Sequence, residues 1–250
     1  MAPLALLTRP RPDSEALAAL LQEQGVDSLI EPVIDILPLE GARLPDLDDI
    51  QALLITSANG VRALVAQLQL PPEARHKPLL AVGPASAEAA REAGFAEVRT
   101  AGGDVTALAA LARQQLDPTA GPLLHIAGSQ VAGDLAGDLD KSGFELRRQI
   151  LYDARPSNAL SPAAQEALAD GKIDMVLFFS PRSARAFVRL IRAAALDSAL
   201  AQTVAICLSA NVAEVAAVAA WRRIRTARKP EQAALLEEVA QEVSMADHGR

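Results

Sequence analysis

Hydrophobic and polar positions along this chain fall into one recurring phrase. A short apolar run ends in Ser, Thr, Gly or Asn, and an Ala/Leu-rich stretch with helical spacing follows at once. It occurs at Leu6-Leu7-Thr8-Arg9-Pro10, at Leu53-Leu54-Ile55-Thr56-Ser57-Ala58-Asn59-Gly60 and at Ala81-Val82-Gly83-Pro84-Ala85-Ser86. It returns at Leu123-Leu124-His125-Ile126-Ala127-Gly128-Ser129, at Val176-Leu177-Phe178-Phe179-Ser180-Pro181-Arg182-Ser183 and at Val204-Ala205-Ile206-Cys207-Leu208-Ser209-Ala210-Asn211. Continuous apolar runs of this length suit strands of a parallel sheet, buried on both faces. Each phrase therefore predicts a strand, a turn and a helix N-terminus. Unpaired backbone N–H groups and the positive end of the helix dipole gather at such turns. In an open α/β sheet they line the crevice where ligands bind. Six of them, with no cofactor fingerprint, suit an anionic small molecule.

The pattern is duplicated. Residues 4–36 resemble 122–154, with Leu6/Leu124, Leu17/Leu135, Leu21/Leu139 and Gly25/Gly143 at one constant spacing. Each copy reads as strand, helix, a glycine suited to a helix C-terminus, and a second strand. Those second strands are expected at Ser28 to Ile36 and Glu145 to Tyr152. Residues 51–112 resemble 173–240, with Ser57/Ser180, Arg62/Arg185, Ala63/Ala186 and Val65/Val188 again evenly offset. Expected last helices, Val105 to Gln115 and Glu231 to Val243, also correspond. The order is a, b, a′, b′, which predicts two α/β domains of similar build. Tandem pairing (a with b) and crossed pairing (b with a′, a with b′) are equally compatible with the periodicity. The β-prone, proline-flanked segments 31–38 and 149–156 would be the two crossings in the second case.

Composition narrows the function. Half the residues are hydrophobic and only 3% aromatic, so the core is built of Ala, Leu, Val and Ile. The formal charge of −7 argues against nucleic-acid binding. The basic cluster Arg222-Arg223-Ile224-Arg225 to Arg228-Lys229 reads as a solvated helix end and strand edge. Cys207 is the lone cysteine, and His76, His125 and His248 are far apart, so no metal motif is expected. The apolar start reads as a first strand and not as a signal peptide, and no run has the length of a membrane helix. The expectation is a cytoplasmic monomer with no membrane partner.

The ordered set of phrases resembles the uroporphyrinogen-III synthase family. The matching segments are Leu7-Thr8-Arg9-Pro10, Ile34 after Pro32, Ile55-Thr56-Ser57-Ala58-Asn59-Gly60-Val61, Ala81-Val82-Gly83-Pro84 and Gly102-Gly103-Asp104. They continue with Leu151-Tyr152, Phe178-Phe179-Ser180-Pro181-Arg182-Ser183 and Lys229-Pro230 before Ala233-Ala234-Leu235-Leu236. The resemblance implies two similar doubly wound parallel-sheet domains joined by a two-stranded β linker, in the crossed arrangement. Residues 1–32 with 156–243 would form one domain and 37–150 the other. Residues 33–36 and 151–155 would be linker strands, and 244–250 a disordered tail. The family enzyme is a cofactor-free cyclase of haem biosynthesis. It expels water from hydroxymethylbilane, a linear tetrapyrrole bearing acetate and propionate groups. It closes the ring with the last pyrrole inverted, giving uroporphyrinogen III. One departure is Cys207-Leu208, where the family turn is often Gly-Pro-like.

Candidate substrate-binding residues are Thr8, Arg9, Ser57, Asn59, Gly83, Ser86, Gly128, Ser129, Ser180, Arg182, Ser183, Ser209 and Asn211. Arg9, Arg182 and, as a third candidate, Arg62 would supply charge; Arg9 and Arg182 sit within turns, while Arg62 and Arg185 fall inside helices and read better as solvated or salt-bridged helix faces. Each hydroxyl also suits a plain helix N-cap. Tyr152 is the candidate catalytic residue: in the family pattern a tyrosine recurs there, and its phenol could hydrogen-bond to the departing hydroxyl. Its other reading is an aromatic anchored by its ring. Cys207, His125 and Trp221 read as packing. A cofactor-free two-lobed small-anion binding module is the competing function. A nucleotide-using enzyme ranks lower, since no phosphate-binding glycine motif follows a strand.

Overall fold

The computed structural model describes residues 2–67, 70, 72–130 and 133–248. In chain order, the first elements are β1 (Leu4–Leu7), α1 (Arg11–Glu23), β2 (Asp27–Ile30), β3 (Ile34–Pro38), β4 (Ala52–Ile55) and α2 (Ala58–Gln67). Then come β5 (Leu79–Ala81), α3 (Pro84–Glu92), β6 (Val98–Thr100), α4 (Val105–Gln115), β7 (Leu123–Gly128), α5 (Leu135–Asp140) and β8 (Leu146–Pro156). The rest are α6 (Pro162–Ala169), β9 (Met175–Phe178), α7 (Pro181–Ala193), β10 (Val204–Cys207), α8 (Ala210–Ala216), β11 (Arg223–Thr226) and α9 (Gln232–His248). The chain divides into two compact units, Met1–Asp35 with Arg155–Arg250, and Ile36–Ala154.

In the first unit the sheet order is β11-β10-β9-β1-β2, with every neighbouring pair parallel. The central strands alternate between two covering layers. Ala5, Leu7, Met175, Leu177, Val204 and Ile206 meet Leu17 and Leu21 of α1 and Leu235 and Val239 of α9. On α7 and beyond, Phe187 and Trp221 stack at 6.0 Å, and Phe178 of β9 meets both edge-on. Trp221 also donates from its indole N–H to the Ala216 carbonyl, 2.8 Å away, at the end of α8.

In the second unit the order is β3-β8-β7-β4-β5-β6. From β8 to β6 the neighbouring pairs are parallel. Leaving β3 aside, the order of strands repeats that of the first unit, with β8, β7, β4, β5 and β6 standing for β2, β1, β9, β10 and β11. Its core gathers Ala52, Leu54, Leu80 and Leu123 under Leu108 and Ala112 of α4 and Leu135 and Leu139 of α5. Fully burying each such leucine contributes roughly 1.5–3 kcal/mol. The bonds Ser157 N–H to Val33 O and Leu39 N–H to Leu151 O, each 3.0 Å, run in opposite numerical directions. β3 and β8 are therefore antiparallel.

The duplication reaches the helix ends. After α1, Gly25 at φ 72° lets its N–H reach Gln22 O while Val26 N–H reaches Leu21 O. After α5, Gly143 at φ 80° does the same with Asp140 O, and Phe144 N–H reaches Leu139 O. This is a Schellman closure in both copies, sealed by Val26 against Leu21 and by Phe144 against Leu139.

Several expectations are corrected. The strand expected over Ser28 to Ile36 breaks at residues 31–33, because Pro32 has no N–H for a ladder and Glu31 turns inward. The Glu31 carboxylate, 5% exposed, accepts from the Ser161 N–H (2.7 Å) and hydroxyl (2.5 Å) at the start of α6. Its counterpart β8 instead runs unbroken past Tyr152 to Pro156. The fourth turn does not lead straight into a helix: α5 starts at Leu135 with Asp134 as its cap. Residues 244–248, expected in a disordered tail, continue α9, while 249–250 lie outside the described residues. The basic cluster is not simply solvated. Arg222, Arg223 and Arg225 of β11 and its lead-in pair with buried Glu238 and Glu242 of α9, at 2.7–3.5 Å.

Candidate functional site

Each unit carries its turns along the carboxyl ends of parallel strands. In the first unit, pairing of β1 with β9 and of β9 with β10 sets three turns side by side: Thr8-Arg9, Ser180 to Ser183, and Ser209 to Asn211. The gap between β1 and β9 is where the strand order reverses, the place at which doubly wound sheets open a crevice.

Arg9 is held from several sides. Its guanidinium lies 4.5 Å from the Phe179 ring centroid, donates to Gln232 Oε1 at 3.0 Å and pairs with Asp13 at 3.5 Å. Its side chain is 16% exposed, so the charge is held in place and still reaches water. Thr8 is different. It is fully buried, and its hydroxyl donates to Leu177 O at 2.8 Å. That hydroxyl fastens β1 to β9. Ser180 caps α7: its Oγ accepts from Ser183 N–H at 3.1 Å, and the Ser183 hydroxyl returns a bond to Ser180 O at 3.0 Å. Arg182 is half-buried on the first turn of α7, whereas Arg185 is exposed further along it. Ser209 precedes α8 without a side-chain cap, and Asn211 is exposed on its first turn.

In the second unit, β4 lies between β7 and β5. Its turn therefore neighbours those of Gly128-Ser129 and of Gly83 to Ser86. Ser57 Oγ accepts from Asn59 N–H at 3.2 Å, and Asn59 Oδ1 accepts from Arg62 at 3.1 Å. Arg62 thus folds back onto the turn instead of only facing solvent. Gly83 is in ordinary extended conformation at φ −153°, and a Cβ there would meet nothing within 4 Å. The protein's own packing does not demand glycine at that position. Ser86 is buried, 5% exposed, on the first turn of α3.

The fourth turn is the tightest. Tyr152 lies within β8, not at its end, opposite Gly128 across a register shift. A bulge of this kind re-aims side chains. A Cβ on Gly128 would stand 2.8 Å from the Tyr152 ring, so only glycine fits under it. The tyrosine is 7% exposed. Ser129 N–H donates to Tyr152 O at 2.9 Å, and the Ser129 hydroxyl donates to the Asp153 carboxylate.

Two residues that sequence reasoning did not single out complete this turn. Arg148 of β8 donates from Nη2 to Gly128 O at 2.6 Å and to Ser129 O at 3.0 Å. Asp153 orients Ser129. Both are charged residues in a strand that reads simply as half-exposed, and nothing local marks them. His125 is opposite Arg148 in the ladder, with Nε2 3.1 Å from the Thr56 hydroxyl. Burial, aided by the Arg148 charge, pushes its pKa down to about 4, so it is neutral near pH 7. Burial pushes the Cys207 thiol up to about 12, which leaves no thiolate nucleophile. Among the described residues no cluster of three or more His, Cys, Asp or Glu could hold a metal ion. Nor is any helix among them long and apolar enough to cross a membrane.

The family model described as uroporphyrinogen-III synthase HemD matches residues 15–237. The chain belongs to the uroporphyrinogen-III synthase family. It is accordingly an enzyme, a cyclase of haem tetrapyrrole biosynthesis. A uroporphyrinogen-III synthase of Chlorobaculum parvum is 26% identical over 196 residues, 74% of this chain and 78% of that protein. Two solved structures share the fold. One is the uroporphyrinogen-III synthetase of Helicobacter pylori, with TM-score 0.63 and 18% identity over 96% of this chain and 99% of that one. The other is a mutant uroporphyrinogen III synthase of Thermus thermophilus, with TM-score 0.54 and 20% identity over 98% and 100%. The synthase family is thus reached from sequence, and its fold from structure.

Proposed function

We propose that the chain converts hydroxymethylbilane to uroporphyrinogen III by positioning, with the strand-end turns of each unit binding the substrate's carboxylates. The match to the family over residues 15–237 carries this reading. The geometry of the turns supports it: Phe179, Gln232 and Asp13 orient Arg9, and helix N-termini with their N–H groups follow the turns of β1, β4, β5, β9 and β10. Loss of hydroxide from the terminal hydroxymethyl carbon, taken up with a proton as water, leaves a pyrrole-stabilised cation. Such a leaving group needs little acid assistance. Catalysis then consists of holding the two ends so that the inverted ring closes and the uninverted one does not. In this reading the Tyr152 hydroxyl orients the departing group, Arg9 and Arg182 supply local charge, and the enzyme works as a cytoplasmic monomer without cofactor.

The deciding experiment is incubation with enzymatically generated hydroxymethylbilane, followed by chromatographic separation of product isomers. Uroporphyrinogen III is expected. Formation of the uninverted isomer alone, at the rate seen without protein, would sink the proposal. Sedimentation of the same preparation tests the monomer.

A further inference from the structure

We propose that Arg148 binds a carboxylate of the substrate and converts the carboxyl end of β7 from an anion-repelling edge into an anion-accepting one. This deepens the functional reading above and rests on it. Carbonyl oxygens at the end of a strand are acceptors, as an ionised carboxylate is, so the two cannot bond and disfavour each other at close approach. At β7 those oxygens are Gly128 O and Ser129 O, and one nitrogen of Arg148 covers both.

A guanidinium carries five N–H donors. The two bonds from Nη2 fix its orientation and leave the N–H groups of Nε and Nη1 without a protein acceptor among the described residues. No carboxylate of those residues pairs with it. Its neighbour Arg147 is the contrast: that guanidinium bonds to both Glu145 (2.8 Å) and Asp49 (2.7 Å), so its charge is matched. His125, the ionisable group facing Arg148 across the ladder, is held neutral and adds no competing charge. Arg148 is therefore an exposed, oriented and unmatched cation, beside the turn that carries Ser129 and packs on Tyr152. A tetrapyrrole bearing acetates and propionates supplies the missing anion. Arginine, permanently charged and planar, suits that task better than lysine.

The test compares Arg148→Met, Arg148→Lys and, as control, Arg147→Met with wild type, in steady-state kinetics and in binding of uroporphyrin III followed by fluorescence. Arg148→Met should raise KM and weaken uroporphyrin III binding roughly ten- to a hundredfold, the scale of a hydrogen bond to a charged group. Its kcat should stay within about threefold, and Arg148→Lys should recover part of the loss. Arg147→Met should leave both constants within about twofold. An unchanged KM and affinity in Arg148→Met would overturn the inference, and so would an equal loss in Arg147→Met or a fall in kcat alone. If Arg148→Met does not fold, Arg148→Lys decides: affinity within twofold of wild type or weaker than tenfold would be incompatible with a charge held and partly replaced. Wild type that makes no inverted isomer would instead remove the functional reading itself, and this inference with it.

Discussion

At the scale of single residues, Tyr152 and His125 show how burial sorts chemistry. The Tyr152 ring is wedged over Gly128, so the ring is structural whatever its hydroxyl does. Tyr152→Phe keeps the ring and removes one donor. The expected result is a turnover number down by about tenfold with product affinity nearly intact, the scale of one ordinary hydrogen bond. An unchanged rate in Tyr152→Phe, with loss only in Tyr152→Ala, would leave the hydroxyl no catalytic part. A loss beyond a hundredfold would point to true acid catalysis. His125 bears on stability. Its pKa is about 4 in the folded chain against 6.5 for a free imidazole, so between these values the unfolded state binds the extra proton. Its contribution is full above pH 6.5 and is lost as pH falls through about 4, on the order of 3 kcal/mol in all. Urea unfolding of wild type and His125→Gln at pH 7 and pH 4.5 would show it. The variant should lose clearly less stability over that interval, and parallel losses would refute the assignment.

Between elements, a cluster of ion pairs fastens α9 to the edge strand β11. Glu242 is 4% exposed and faces Arg222, Arg223 and Arg225; Glu238 faces Arg225. Removing one carboxylate strands the arginines that approach it. Arg222 and Arg223 remain 44% and 50% exposed and can turn to water, so the loss falls below that of a fully buried pair. Glu242→Ala should cost about 2 kcal/mol in denaturant unfolding, with faster hydrogen exchange confined to α9 and β11. Arg222→Ala alone should cost under about 1 kcal/mol. The reverse ranking would mean that apolar contacts of Leu235 and Val239, not the ion pairs, hold the helix. None of this is legible in the sequence, where three arginines close together look like a solvated edge. Their partners are on a helix that only the fold brings alongside.

For the molecule as a whole, the second unit is contiguous in sequence and carries its own core, whereas the first is closed by segments from both ends of the chain. A fragment of residues 34–156 should therefore unfold cooperatively by itself. A fragment of residues 1–115, complete under tandem pairing, lacks β7 and β9 and should show no cooperative transition. Cooperative unfolding of the shorter fragment would contradict the division. Local sequence by itself determined the strands, the turns and most helices, because apolar runs, proline at helix starts and Gly25 and Gly143 at helix ends act over a few residues. It also located Arg9, whose turn is written in one phrase. It did not determine which halves join, since tandem and crossed pairings bury the same hydrophobic pattern. The family resemblance implied the crossed form, and the tertiary structure has it; only the tertiary structure decided the burial of Thr8 and Glu31 and the meeting of Arg148 with Gly128 and Ser129. The physical reason is common to all of these: a strand's neighbour, and hence the partner of a polar group pointing across to it, is set by contacts between segments far apart in the chain.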